Sequence, residues 1–468
     1  MLFLLLACSS PPPTPAPPPV KPAPVKDLYS LADNAAKTDV ILISVDCLRY
    51  DHTGLDAKNR DATPHLTEFA KSAVVFRNAQ SAAPWTVPSH MSLWTARFPS
   101  RHHLINKLAV GPDGKMGDAT LGADVPTFPE KLIAAGWKGG AFTGDAGVSA
   151  RFGFGRGGFD VFLDDQKFGT MAHSGPAADQ WIQTNKDGHF FLFFHGYDTH
   201  GQAALPANVD PHTLMPGYKG SLNGSIEEQA RLREQGLAAI KNPGDPSSLI
   251  GVLTLEDAQF LTAIYDKKIE LADQRVGAFL DLLHSTGVWD HAIVVILSDH
   301  GEEFMERSAL DHGQTLFQEQ LHVPFMIHFP GQTQAVDVQD PVLTLNVFPT
   351  LFDSLGLPAV PDVDGQSLLP LIRGTGPAPG PLFSESDYRL FVHLRSLRKG
   401  NYKLILNLGN GQKSLYDLAA DPGETTDLAA TQPKIAYEME QELRAKMITF
   451  GTDPATYLGK AEAPITIF

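Results

Sequence analysis

Apolar positions in this chain gather into unbroken runs, and the longest of these runs end in acid. Ala292-Ile293-Val294-Val295-Ile296-Leu297 is apolar throughout and mostly β-branched, and it stops at Ser298-Asp299-His300-Gly301-Glu302-Glu303. Asp39-Val40-Ile41-Leu42-Ile43-Ser44-Val45 does the same, running into Asp46-Cys47-Leu48-Arg49-Tyr50-Asp51. A third run, Phe190 to Phe194, opens into His195-Gly196-Tyr197-Asp198-Thr199-His200-Gly201. Continuous apolar runs of this length read as strands covered on both faces, the pattern of a parallel sheet sandwiched between helices. Open sheets of that kind bind ligands outside the carboxyl ends of their strands. The pattern therefore predicts an α/β fold with a doubly wound, mostly parallel central sheet, helices on both faces, and Asp46, Asp299 and His300 at one edge.

Between the first two landmarks lies Ala83-Pro84-Trp85-Thr86-Val87-Pro88-Ser89-His90, a loop stiffened by two prolines that leads into a helix. A hydroxyl at a helix mouth sees unsatisfied N–H groups and the positive end of the dipole, which favour anions. Thr86 and Ser89 are equally suited to plain N-capping, so position alone leaves that alternative open. Thr63-Pro64 and Thr127-Phe128-Pro129 read as helix starts and Gly136 as a helix stop. The stretch from Ala203 to Gly251, rich in Pro, Gly and Asn, reads as an inserted loop over the strand ends, where specificity is commonly shaped. His102 and His103 read as surface-loop residues without a chemical role. Gly153-Phe154-Gly155-Arg156-Gly157-Gly158 satisfies G-x-G-x-x-G, but its flanks suggest a loop leading to a short strand, which excludes a dinucleotide fingerprint.

With 468 residues and 43% hydrophobic content, the chain is large enough for one α/β domain and a smaller appendage. A net charge of −16 excludes nucleic acid as a partner, because a phosphate backbone demands a positive face. Leu4-Leu5-Leu6-Ala7-Cys8 has the form of a lipoprotein processing site, with Cys8 as the lipidated residue, and residues 9–37 form a proline-rich spacer. The expected plan is a lipoprotein signal at 1–8, the linker at 9–37, a catalytic domain at 38–375, a Gly/Pro linker from Gly376 to Pro381, and a carboxyl-terminal subdomain at 382–468. That subdomain should hold short strands from Leu382 to Leu418 and a final helix from Ile435 to Ile448. The expected location is the bacterial cell envelope, anchored to a membrane through lipid on the periplasmic side or the cell surface.

The ordered motifs resemble the sulfatase family, within the wider alkaline-phosphatase-like superfamily. The likeness rests on the strand ending in Asp46, the Thr86-Val87-Pro88-Ser89 segment and Ser298-Asp299-His300-Gly301. It continues through Tyr265 to Gly277, Asp311-His312-Gly313-Gln314-Thr315, Asn346-Val347-Phe348-Pro349-Thr350 and Asp421-Pro422-Gly423-Glu424. The resemblance covers roughly residues 38 to 430. It implies the fold already read from the pattern and one divalent metal ion held by Asp46, Thr86, Asp299 and His300.

Departures from the family pattern redirect the chemistry. Thr86 stands where the family carries the Cys or Ser that becomes formylglycine, which implies an unmodified hydroxyl nucleophile. His90 replaces the family arginine, Cys47 replaces the second aspartate, and His300 stands where calcium-dependent members carry asparagine. These changes favour zinc or manganese, with calcium still possible. The Gly-Lys-x-His element expected near Thr143-Gly144-Asp145-Ala146 lacks its Lys and His. Thr86, His90, His200 and His312 are the expected catalytic residues, and Arg49, His195, His200 and His312 the expected substrate contacts. The implied activity is hydrolysis of sulfate or phosphate esters of a small molecule, glycan or lipid headgroup. Two alternatives remain, a phosphoethanolamine- or phosphoglycerol-type transferase and a catalytically degenerate binding protein.

Overall fold

The computed structural model describes residues 28–59, 61–110, 115–241, 253–307 and 309–454. An eight-stranded sheet runs, edge to edge, Val336–Val338, Val74–Phe76, Phe325–His328, Ala292–Leu297, Asp39–Val45, Phe190–Gly196, Lys138–Phe142 and Val161–Leu163. Every pairing is parallel except those of Phe325–His328, which is antiparallel to both neighbours. The unbroken apolar runs have a simple explanation in the packing. Val40, Leu42, Phe191, Phe193, Ile293 and Val295 enter one core, while Ile41, Ile43, Leu192, Phe194, Val294 and Ile296 enter another on the opposite face. Side chains alternate across a strand, so a strand covered on both faces is apolar at successive positions rather than at alternate ones.

The helix Leu255–Thr286 covers one face with Ile269, Ala272, Val276 and Phe279, and it starts from a capping box between Thr254 and Asp257. The opposite face is covered by Met91 and Trp94 of helix Thr86–Thr95 and by Phe348 and Leu351 of helix Val347–Ser354. Helices also start at Pro64 and at Phe128, the latter behind a Thr127–Glu130 capping box, and Gly136 takes φ +108° just past its helix. The glycine-rich decoy is a loop leading into the short strand Val161–Leu163.

Beyond residue 381 an antiparallel sheet, Leu382–Ser386, Leu394–Lys399, Tyr402–Asn407 and Lys413–Asp417, forms the carboxyl-terminal unit. Helix Pro433–Thr449 lays Ala436, Met439, Leu443 and Met447 against Leu397, Leu404, Leu406 and Leu415. Residues 455–468 of that subdomain lie outside the described residues.

Three expectations need correction. The segment read as an inserted loop contains helix Ile226–Lys241, which buries Leu232 and Leu237 and starts where the Ser225 hydroxyl accepts from Glu228 N–H. Its Glu, Gln and Arg content favours helix, and the surrounding Pro and Gly hid that signal. The spacer read as ending at 37 ends earlier. Tyr29 packs against Phe329, Leu31 N–H bonds to Ser354, and residues Ala32–Lys37 form a short 3-10 helix. His102 lies buried against the Thr86 helix, its Nδ1 accepting from Leu104 N–H at 3.1 Å and its Nε2 lying 3.3 Å from the Pro88 carbonyl. Cys8, the signal and most of the spacer lie outside the described residues.

Candidate active site

Register brings the site together. Ser44 sits beside Leu297 on one side and His195 on the other, so Asp46, Asp299 and the polar loop after Gly196 leave the sheet at the same edge. Trp85 takes the N-cap position of the Thr86 helix in extended conformation, with no side-chain cap. Thr86 is therefore not occupied by capping, which settles the alternative left open by position. Its hydroxyl donates to Asp46 Oδ1 at 3.2 Å and lies 3.3 Å from His300 Nε2. Gly147 lies close behind it, where a Cβ would meet the Thr86 methyl at 2.9 Å, so glycine there leaves room for that side chain.

The acids and His300 form a cation-shaped set. One ligand atom from each of Asp46, Asp299 and His300 lies within 4.8 Å of the others, and all three residues are buried. His300 Nδ1 lies 2.8 Å from the Gly301 carbonyl, so it carries the proton and leaves the Nε2 lone pair free. Asp299 Oδ2 is buried without a hydrogen bond, 3.3 Å from that nitrogen. Burial and then the Asp299 charge push Asp46 up to about 6. Burial would raise Asp299 too, but the facing His300 and His90 outweigh it and hold its carboxyl low. Two buried carboxylates, a hydroxyl and an imidazole lone pair converging at one point fit a divalent cation. Cys47, at φ +55°, donates its thiol hydrogen to Asp46 Oδ2 at 2.8 Å, and burial with the Asp46 charge pushes that thiol well up.

His200 and His312 face the cavity that opens over Thr86, a space of about 590 Å³. His200 Nδ1 accepts from Gln202 N–H at 3.0 Å, which leaves the proton on Nε2 as a donor. Burial, reinforced by His312, lowers its pKa well below the usual imidazole range, so it stays neutral. Lys268 Nζ donates to the His200 carbonyl at 2.9 Å and Thr199 donates to the Asp46 carbonyl, which fixes this loop to the sheet edge. His312 stands with its ring centroid 5.1 Å from His200, and its Nδ1 is 3.3 Å from Glu302 Oε2 and 3.6 Å from Cys47 Sγ. Burial and then Asp311 push the Glu302 carboxyl well up.

The remaining expected residues lie elsewhere. His90 is fully buried one turn after Thr86, with Nε2 2.9 Å from Ser44 Oγ and Nδ1 3.1 Å from Asp299 Oδ2. His195 is also buried, its Nε2 3.7 Å from Asp46 Oδ1 and its Nδ1 bonded to Thr143 at 2.7 Å. Neither lines the cavity; His90 lies against Asp299, and His195 Nε2 has no hydrogen-bond partner among the described residues. Arg49 needs a plain correction. Its guanidinium bonds Asp51 at 2.7 Å, Glu306 at 2.5 Å and the Glu302 carbonyl at 3.0 Å, and it is absent from the cavity wall. With its donors taken by the protein, it ties the Asp46 loop to the loop after His300.

Sequence reading missed the cavity's cations. Lys107, Arg151, Lys167, Arg233 and Arg389 all line it, with Asp118 and Glu234. They come from the start of a short hairpin, from loops and short turns, and from the unrecognised helix, with no shared spacing, so no motif announced them.

A doubly wound sheet with a hydroxyl at a helix mouth and a carboxylate–imidazole cluster at its carboxyl edge defines the alkaline-phosphatase-like class. Within it, the chain belongs to the sulfatase family, whose model matches residues 38–357. A second model, N-sulphoglucosamine sulphohydrolase C-terminal, matches residues 310–451. Arylsulfatase K of Rattus norvegicus is 28% identical over 214 residues, 42% of this chain and 36% of that protein. The match thus spans little more than a third of that relative's length. A protein of Bacteroides thetaiotaomicron assigned as a sulfatase superposes with a TM-score of 0.69 at 21% identity, covering 90% of this chain and 94% of that one. The phosphonate monoester hydrolase of Agrobacterium radiobacter superposes with a TM-score of 0.68 at 20% identity, covering 88% and 96%.

Proposed function

We propose that this protein is a metal-dependent hydrolase of sulfate, phosphate or phosphonate esters, with unmodified Thr86 as its nucleophile. The observation that carries the reading is the Thr86 hydroxyl itself, free of capping duty and within hydrogen-bond reach of Asp46 and His300. Membership of the sulfatase family supports ester hydrolysis, and similarity to both an arylsulfatase and a phosphonate monoester hydrolase keeps sulfur and phosphorus esters in view.

Asp46, Thr86, Asp299 and His300 would hold one divalent ion, which would supply positive charge that eases ionisation of a hydroxyl and stabilises a tetrahedral anion. The chain's own residues then divide the work. Asp46 Oδ1 is placed to receive the Thr86 proton, and the hydroxyl oxygen attacks sulfur or phosphorus as the ester oxygen departs. His200 offers its Nε2–H to a non-bridging oxygen. His312, backed by Glu302, is placed to protonate the leaving alcohol. A threonine ester has no second hydroxyl on the same carbon to expel the anion, so turnover needs water to attack the sulfur or phosphorus, releasing the inorganic anion and restoring the hydroxyl.

A panel of aryl sulfate, aryl phosphate and phosphonate monoester, run alongside metal analysis, tests this reading. Thr86→Ala should keep its fold and lose several orders of magnitude in turnover, and Thr86→Ser should keep part of it. His300→Ala should lose metal and activity together. Full metal occupancy in His300→Ala, or no turnover of any ester by the wild-type chain, would overturn the proposal. Envelope anchoring through lipid on Cys8 belongs to the same proposal, supported by the Leu-x-Ala-Cys motif and the proline run behind it. Its check is Cys8→Ser, which should release the chain from membranes.

A further inference from the structure

The cavity over Thr86 holds more positive charge than one ester needs. A single sulfate or phosphate ester is already met by the residues around Thr86, yet five cationic side chains line the wall against two acids. Two of the five are spoken for. Arg389 forms paired bonds to Glu234 at 2.9 and 2.8 Å, and Arg151 lies 3.0 Å from Asp145. The two lysines are not, and Arg233 is only partly so. The Lys107 ammonium makes no hydrogen bond or ion pair with any described residue. Lys167 likewise has neither, its ammonium resting 5.7 Å from the Phe168 ring. Arg233 pairs with Glu234 at 3.1 Å and with Asp311 at 3.7 Å and bonds Gln202 at 3.5 Å, while its Nε stays buried without a hydrogen bond.

These cations are near enough to oppose one another. Burial first, then Arg233, with Arg151 and Lys167 adding, pushes the Lys107 ammonium down to about 8. In a chain of net charge −16, converging like charges inside one cavity cost stability unless something anionic is meant to enter. The space is also larger than one sulfate or phosphate group requires, and suits a ligand the size of a small organic molecule.

We infer that the substrate carries a second anionic group besides the ester that is cleaved, and that Lys107, Lys167 and Arg233 bind it. The inference rests on the ester-hydrolase reading for the placement of the first anion. The second group is a carboxylate, sulfate or phosphate on the same molecule, because two lysine ammoniums and a guanidinium serve any of these.

Calorimetry on the metal-loaded full-length chain, with three non-hydrolysable probes sharing one ring, tests the inference. Benzenesulfonate carries one anion, benzene-1,3-disulfonate carries two sulfonates, and 3-sulfobenzoate pairs a sulfonate with a carboxylate. At least one of the doubly charged probes should bind about tenfold more tightly than benzenesulfonate, a gap of roughly 1.4 kcal/mol. The better of the two identifies the second group as sulfate-like or carboxylate. In Lys167→Ala, Arg233→Gln and Lys107→Met the advantage should shrink to threefold or less while benzenesulfonate affinity stays within about twofold. Lys167 is exposed, so its truncation does not threaten the fold. Equal binding of all three probes, or an advantage that survives the substitutions, would overturn the inference. No turnover is involved, so a failed nucleophile assignment and a failed second anion site give different results.

Discussion

Thr86 is available for chemistry because the residues around it have taken every structural task. Trp85 fills the N-cap position, Ser89 donates to the Asp299 carbonyl at 2.7 Å, and His90 lies between Ser44 and Asp299 beneath the site. His102 supports the same helix from outside the cavity, and it carries a pH signature. Burial pushes it down to about 3, whereas an unfolded imidazole titrates near 6.5. Between those values the unfolded chain binds a proton that the folded chain refuses. His102 therefore contributes stability that is present above pH 6.5 and is lost as pH falls towards 3. Replacing it with Gln removes that dependence, so the stability gap between wild type and His102→Gln should be largest near pH 7.5 and narrow steadily below 6.5. Denaturant melts at several pH values check this, and a gap that widens in acid would contradict it.

At the scale of elements, the long helix Leu255–Thr286 is tied to the catalytic loop by one hydroxyl. Tyr265 donates to the Cys47 carbonyl at 2.6 Å and accepts from Arg49 N–H at 2.9 Å, inside the buried edge of the sheet. Tyr265→Phe leaves two buried backbone groups without partners and should cost about 1–3 kcal/mol in urea unfolding, with turnover falling as the Asp46 loop loosens. A change within about 0.5 kcal/mol would show that the loop is held by other contacts. The elements also explain what was legible in the sequence. Strands buried on both faces are apolar along most of their length, so Asp46 and Asp299 stood out at their ends, and parallel register then placed them together. Thr86, His200 and His312 were legible through a family motif rather than through geometry. Lys107 and Arg233 were not legible, because a hairpin and an amphipathic helix carry them into the cavity from segments with no diagnostic pattern. Arg49 and His102 misled for the opposite reason, since charge and loop context say nothing about which partners a folded chain will supply.

Over the whole molecule, charge is distributed against its own average. The chain carries a net −16 while its cavity gathers cations, so attraction of an anionic substrate is a local effect opposed by the surrounding field. Exposed rim contacts are screened as the Debye length falls from about 10 Å at 0.1 M salt to about 3 Å at 1 M. KM for a doubly charged ester should therefore rise several-fold over that range, while kcat, set by the buried cluster, changes little. Steady-state kinetics at fixed pH would show it, and a KM indifferent to salt would place the charge recognition in the buried groups alone. The central claim is narrower, that Thr86 is an unmodified threonine that becomes esterified during turnover. Peptide mass spectrometry on chain quenched in acid during steady-state turnover of an aryl phosphate or aryl sulfate addresses it directly. The account predicts plain threonine at position 86 in the resting chain and one added phosphoryl or sulfuryl group there in the quenched sample, absent from Thr86→Ala. An unlabelled Thr86 peptide together with near-normal activity in Thr86→Ala would contradict it.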